Sequence, residues 1–198
     1  MNAFENASLV ETRGMARLMP YLQEQAHGNA VILTAKGRLS RFLQETIGDA
    51  VFAALSDKSL VSVEIKVEER WTGNLFLETW SNRNLENPDR HAYIGSNVGW
   101  LYKCRADALL YYFIDIDTLI TCSVFSLKRW AFCEPSGRYA EDGRPIIGKL
   151  TNFPEVPQSK YAQLNDTRGC LVPVSVLRAE IGAKRIRIQQ LELPGIAA

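Results

Sequence analysis

Hydrophobic and polar residues alternate without a break along Val61-Ser62-Val63-Glu64-Ile65-Lys66-Val67-Glu68. A period of two marks an extended strand and sets Val61, Val63, Ile65 and Val67 on one face, with Glu64, Lys66 and Glu68 on the other. Strand-like runs flank it on both sides, so the pattern predicts three successive strands at residues 49–55, 59–68 and 74–80, folded as a meander. Ser56-Asp57-Lys58-Ser59 supplies the first turn. Trp71-Thr72-Gly73 supplies the second, with Gly73 at the left-handed position of a three-residue hairpin loop.

A helical period frames the strands. In residues 38–47 the apolar Leu39, Phe42, Leu43 and Ile47 form a core-facing stripe that Gly48 closes. Residues 16–25 carry a weaker helical pattern, ended by His27-Gly28-Asn29. Residues 81–95 are polar and predict a long surface loop. A short helix is expected at 97–106, a buried aromatic strand at 108–114 and a further strand or hairpin at 119–132. Residues 134–160 are rich in Gly and Pro and predict irregular chain, followed by a strand at 171–177 and a basic stretch at 179–190. The expectation is one α/β domain over residues 1–198, with its core at about 38–117 and a C-terminal extension at about 134–198.

Composition adds limits. With 46% hydrophobic and 23% charged residues among 198, the chain can bury a substantial core. It opens without a basic start and apolar run, and no stretch reaches the roughly 18 apolar residues of a membrane span, so a cytoplasmic protein with no membrane partner is expected. Cys104, Cys122, Cys133 and Cys170 are too widely spaced for zinc-binding pairs and read as reduced core residues. A net charge of +1 means that any site for a polyanion is a local patch; Arg178, Lys184, Arg185 and Arg187 form the one candidate cluster for a nucleic-acid backbone, though such runs are more often a solvated face.

The chemistry gathers on the polar strand face. A turn centred between Asp57 and Lys58 pairs Asp49 with Lys66 and Val51 with Glu64, so Asp49, Glu64 and Lys66 converge. A hairpin at residues 71–73 adds Glu78 opposite Lys66, and Glu45 approaches from the preceding helix. Two carboxylates make a hard-oxygen site for Mg²⁺, with Mn²⁺ as substitute, and a nearby ammonium can orient water or offset charge on a phosphate. Phosphodiester hydrolysis needs those groups. The competing structural reading is a solvated edge hairpin whose cross-strand ion pairs do no chemistry.

The E-x-K tripeptide Glu64-Ile65-Lys66, the acidic Asp49 before it, and the wording around Thr72 to Glu78 and Gly99 to Asp107 resemble the PD-(D/E)XK nuclease superfamily, in particular its small bacterial and phage members. The likeness covers residues 38–117; Gly48 stands where the family's proline is expected. It implies a restriction-endonuclease-like αβββαβ core with a mixed central sheet flanked by helices. It also implies an Mg²⁺-dependent endonuclease acting on nucleic acid, expected to be DNA, with Asp49, Glu64 and Lys66 catalytic. Asp49, Glu64 and the Ile65 backbone carbonyl would be the metal ligands, with Glu45 and Glu78 as further candidates. The alternative is a non-catalytic module that keeps this fold and binds nucleic acid or protein.

Other signals carry less. The segment from Gly143 to Leu150 ends in Gly-Lys but has Leu150 where a phosphate loop needs a hydroxyl. Asp115-Ile116-Asp117 reads as a strand-end turn before a metal site, and His27 and His91 lack the partners that hydrolase chemistry needs. The four tryptophans read as packing residues.

Overall fold

The computed structural model describes residues 3–26, 30–32, 50–53, 60–81, 99–132, 148–158 and 166–191. In chain order the elements are α1 (Ala3–Gln25), β1 (Val31–Ile32), β2 (Ala50–Ala53), β3 (Leu60–Glu68), β4 (Asn74–Trp80), α2 (Trp100–Lys103), β5 (Ala108–Phe113), β6 (Thr118–Ser123), α3 (Val124–Phe132), a 3₁₀ turn (Lys149–Asn152), β7 (Glu155–Pro157), β8 (Arg168–Pro173), α4 (Val174–Ile181) and β9 (Ile186–Gln190). The chain is α/β and divides into two compact units: Met1–Thr72 with Cys104–Val124 and Lys184–Ala198, and Gly73–Lys103 with Phe125–Ala183. No helix of the described residues is long and apolar enough to cross a membrane.

The first unit holds a six-stranded mixed sheet in the order β1-β2-β3-β5-β6-β9. β3 and β5 run parallel, and every other neighbouring pair is antiparallel. The predicted alternation along β3 holds: Val63 and Ile65 join Leu110, Tyr112, Ile114 and Leu119 in a core closed by Leu18 and Leu22 of α1 and by Ala26 just after it, with Val61 and Val67 packed against it. Leu18 and Leu22 lie four positions apart, and the Ala26 N–H bonded to the Leu22 carbonyl carries the spacing one turn further, which keeps one face on the sheet. α1 is longer than the predicted 16–25. Pro20 lies inside it on the exposed side, where the loss of one N–H bond leaves the buried stripe intact.

Two register expectations need correction. Val51 pairs with Ser62 and Ala50 with Val63, so the β2–β3 hairpin is offset by two residues from the pairing of Val51 with Glu64. An even shift preserves which residues share a face. The meander also ends at β3: β4 pairs with β8, in a separate three-stranded antiparallel sheet ordered β4-β8-β7. The chain between the two strands is drawn out of a hairpin from both ends. The Trp71 N–H donates to both Asp115 carboxylate oxygens at 2.9 Å, while the Gly73 carbonyl accepts the Val174 N–H at 2.9 Å. Gly73 does take the left-handed φ of 77°.

In the second unit β4 buries consecutive residues Leu75, Phe76 and Leu77, so both of its faces are covered. Its edge is met by Gly99, whose N–H donates to the Thr79 carbonyl at 2.9 Å. A Cβ at Gly99 would collide with the Glu78 backbone, so the approach requires glycine. The predicted helix 97–106 is the four-residue α2.

The C-terminal third supplies strands to both sheets, β7 and β8 to one and β9 to the other. Residues 119–132 divide into β6 and α3 instead of forming strand or hairpin throughout; Leu127, Trp130 and Ala131 are buried at a helical spacing. The predicted strand 171–177 stops at Pro173, and α4 follows with Val174 and Leu177 buried. The helix predicted at 38–47 lies outside the described residues.

Candidate active site

β3 is an interior strand, flanked by β2 and β5, and this decides what its polar face is. Glu64 is only 9% exposed, and the Lys66 ammonium stands 2.6 Å from its Oε1. Residues i and i+2 of a strand share a face, so backbone geometry alone brings the pair together. A buried carboxylate is costly unless an opposite charge and hydrogen bonds replace its water, and Lys66 supplies the charge. The Lys66 side chain keeps 31% of its surface, which leaves the pair open to solvent from one end. The solvated edge hairpin therefore does not describe this face.

The floor of the face is apolar and aromatic. Leu109, Tyr111 and Phe113 are the β5 partners of Glu64, Lys66 and Glu68, and all three are buried. The Tyr111 hydroxyl donates to Glu68 Oε1 at 2.9 Å, its ring stacks on Phe113, and Trp71 meets Phe113 edge-on at 4.8 Å. Burial raises the pKa of Glu68, and the Tyr111 hydrogen bond offsets part of that rise. At the start of β5, Asp107 Oδ2 accepts both the Ser62 N–H and the Ser62 hydroxyl at 2.8 Å, and the Asp107 N–H returns to the Ser62 carbonyl at 3.0 Å. This clamp fixes the parallel register and so the height of Glu64 and Lys66. Sequence reading gave Asp107 and Tyr111 no role, because their partners emerge only from a parallel pairing.

The Ser62 and Glu68 carbonyls accept N–H groups from Asp107 and Ile114, so the even-numbered residues of β3 turn their backbone groups toward the β5 side. Alternation turns the Ile65 carbonyl to the opposite edge, toward β2. Asp49 and Glu45 lie outside the described residues. Asp49 is bonded to Ala50, whose strand partner Val63 precedes Glu64. Among the described residues no group of three or more His, Cys, Asp or Glu side chains is placed to hold a metal ion. The described donors that suit a hard cation are the Glu64 carboxylate and the Ile65 carbonyl, both oxygen.

Glu78 has a different place from the expected one. It belongs to β4, pairs with Gly169, and its Oε1 accepts the Ser81 hydroxyl at 2.8 Å and the Trp100 N–H at 3.1 Å. That is the geometry of a carboxylate fixing the entry to α2, and the hairpin that would set it opposite Lys66 does not form. Lys184, Arg185 and Arg187 stand exposed around the start of β9, the last strand in the sheet order, and Arg178 stands exposed on α4.

The remaining sequence signals resolve simply where they are described. Lys149, the lysine of the glycine-rich segment, pairs with Glu180 at 3.2 Å. Asp115 and Asp117 sit in the turn between β5 and β6, where Asp117 takes a φ of 43° and accepts the Tyr112 hydroxyl at 2.5 Å. Cys104, Cys122 and Cys170 are buried thiols, and burial pushes the Cys122 thiol up to about 12, far from reactive thiolate. Trp80, Trp100 and Trp130 are buried packing residues. His27, His91 and Cys133 lie outside the described residues.

No protein-family model, curated protein or solved structure matches the chain.

Proposed function

We propose that the protein is a metal-dependent nuclease of the PD-(D/E)XK type that hydrolyses phosphodiester bonds in nucleic acid, DNA being the expected polymer. The observation that carries the reading is the Glu64–Lys66 pair: a carboxylate 9% exposed on an interior strand, 2.6 Å from an ammonium that reaches solvent. A nearly buried strand position is a costly place for an ion pair that contributes only stability. The mixed sheet, with an antiparallel β2–β3 hairpin entered just after Asp49, supports the same reading.

Glu64 and the Ile65 carbonyl would hold Mg²⁺ together with Asp49, and Glu45 is a further candidate. When bound, the ion supplies charge for a phosphoryl oxygen and acidifies water. Lys66 holds the attacking water or faces the phosphate as negative charge builds there; water adds to phosphorus, the bond to the leaving oxygen breaks, and that oxygen takes up a proton. Burial of Leu109 and Tyr111 beside the pair keeps the local dielectric low and strengthens these interactions.

Lys66→Ala tests the assignment, because it removes the ammonium and leaves the oxygen ligands. Cleavage of a mixed panel of DNA and RNA substrates is expected to fall by about a hundredfold or more. Mn²⁺ affinity, read by calorimetry, persists or rises as a nearby positive charge is lost. Cleavage equal to wild type on every substrate removes Lys66 from the chemistry, and indifference of the protein to Mn²⁺ favours a non-catalytic binding module.

A further inference from the structure

Helix α3 has two unlike sides. Leu127, Trp130 and Ala131 are buried; the Trp130 indole N–H donates to Glu180 Oε2 at 2.9 Å, and its ring lies 6.0 Å from that of Phe153. Phe125, Lys128, Arg129 and Phe132 follow the i, i+3, i+4, i+7 spacing of the other side. Phe125 is 71% exposed there, although core packing would bury it and a solvated face would not need it.

Tyr102 of α2 extends this surface. Its ring, in a residue 39% exposed, meets Phe132 edge-on at 5.9 Å. Lys128 Nζ lies 5.7 Å from the centre of that ring and donates to the Tyr102 carbonyl at 2.7 Å. Lys103 follows, exposed, with its Nζ 3.4 Å from the Ser81 hydroxyl. Helices α2 and α3 together carry Lys103, Lys128 and Arg129 and no carboxylate. Three aromatic rings among three cations form a surface complementary to a polyanion that also offers flat faces.

We propose that this surface binds a single-stranded segment of nucleic acid, with bases stacked on Phe125 and Tyr102 and phosphates against Lys103, Lys128 and Arg129. The inference rests on the nucleic-acid reading above and names the substrate form. Stacking on side chains needs unpaired bases, because a duplex presents its phosphates but hides its base faces. Aromatic rings interleaved with cations are how strands are held without sequence preference, and the modest net charge of +1 makes a local patch the way to do it.

The test is fluorescence anisotropy of a labelled oligothymidine and of a matched duplex with the full chain in EDTA, which separates binding from cleavage. Wild type is expected to bind the single strand more tightly. Phe125→Ala weakens that binding by about tenfold and leaves its salt dependence unchanged. Arg129→Gln weakens it and lowers the slope of log affinity against log salt by about 0.7, one single-strand phosphate contact. Thermal unfolding checks that both variants remain folded, as expected for exposed positions. Lack of binding by wild type, preference for duplex, or equal affinity of Phe125→Ala overturns the proposal; so does a concentration-dependent dimer that Phe125→Ala dissolves while oligothymidine binding is unchanged. The two readings fail separately. Binding that depends on Phe125 without metal-dependent cleavage overturns the nuclease alone, and cleavage with Phe125-independent binding overturns this surface alone.

Discussion

Strands β3 and β4 are close in sequence, both carry glutamate among apolar residues, and they hold Glu64 and Glu78 in different ways. β3 alternates strictly, so one face packs on α1 and the other presents Glu64 and Lys66. β4 is apolar on both faces, and its Glu78 is taken up by the Ser81 hydroxyl and the Trp100 N–H. In the nuclease reading proposed above, the Glu64 carboxylate would exchange the ammonium for a metal, whereas Glu78, bonded to a backbone N–H and a neighbouring hydroxyl, is fixed by the fold. That difference in role is what substitutions on the two strands can test.

The largest expected effect tests the packing side of that contrast. Leu77 of β4 has no exposed surface, and Leu77→Ala should cost about 3 kcal/mol or more, the range for a fully buried leucine that leaves a cavity. Ile65→Val, on the packed face of β3, removes one methyl group and should cost about 1 kcal/mol. Urea unfolding of both variants decides it. Near-equal losses would mean that β4 is no more constrained than the one-sided β3.

A smaller effect tests the glutamates. Glu78→Gln keeps an acceptor of the same shape but removes the charge from its bonds to Ser81 and Trp100, so it should lower stability by about 1 kcal/mol. Glu64→Gln should instead lower Mn²⁺ affinity, measured by calorimetry, because it replaces a proposed ligand. If Glu78→Gln reduces Mn²⁺ affinity as much as Glu64→Gln does, the division of roles between the two strands is wrong.

Much of this was legible along the chain where one local rule sufficed. The period of two fixed both the limits of β3 and its faces, and β4 was readable at Asn74–Trp80. Partners were harder, because pairing depends on distant residues. Nothing between residues 68 and 74 announces that the Asp115 carboxylate will capture the Trp71 N–H, or that Val174 will cap the Gly73 carbonyl. The helices after β6 and β8 were misread for a related reason: Val124, Val174 and Val176 favour strands locally, and only burial at helical spacing identifies α3 and α4. Of the candidate site, the Glu64–Lys66 juxtaposition was legible from alternation alone, while the Ser62–Asp107 clamp and the Glu68–Tyr111 bond required the parallel neighbour.

The smallest effect lies on β3 itself, where Glu68 shares the face of Glu64 and accepts the Tyr111 hydroxyl. Its pKa is raised first by burial, and the Tyr111 hydroxyl moderates the rise without cancelling it. A carboxyl group with a folded pKa above its unfolded value binds more protons in the native state, so stability falls as pH rises between those two values. Glu68→Gln keeps an acceptor for Tyr111 and carries no charge at any pH. Relative to wild type it should therefore be more stable at neutral pH, by less than about 1 kcal/mol for a group that is only partly buried, and the difference should vanish in acid below the ordinary glutamate range. Urea midpoints of wild type and Glu68→Gln at pH 4 and pH 7 measure this directly. A variant less stable than wild type at pH 7 would mean that the charged form of Glu68 is favoured in the native state, and that an additional positive partner serves the carboxylates of this strand.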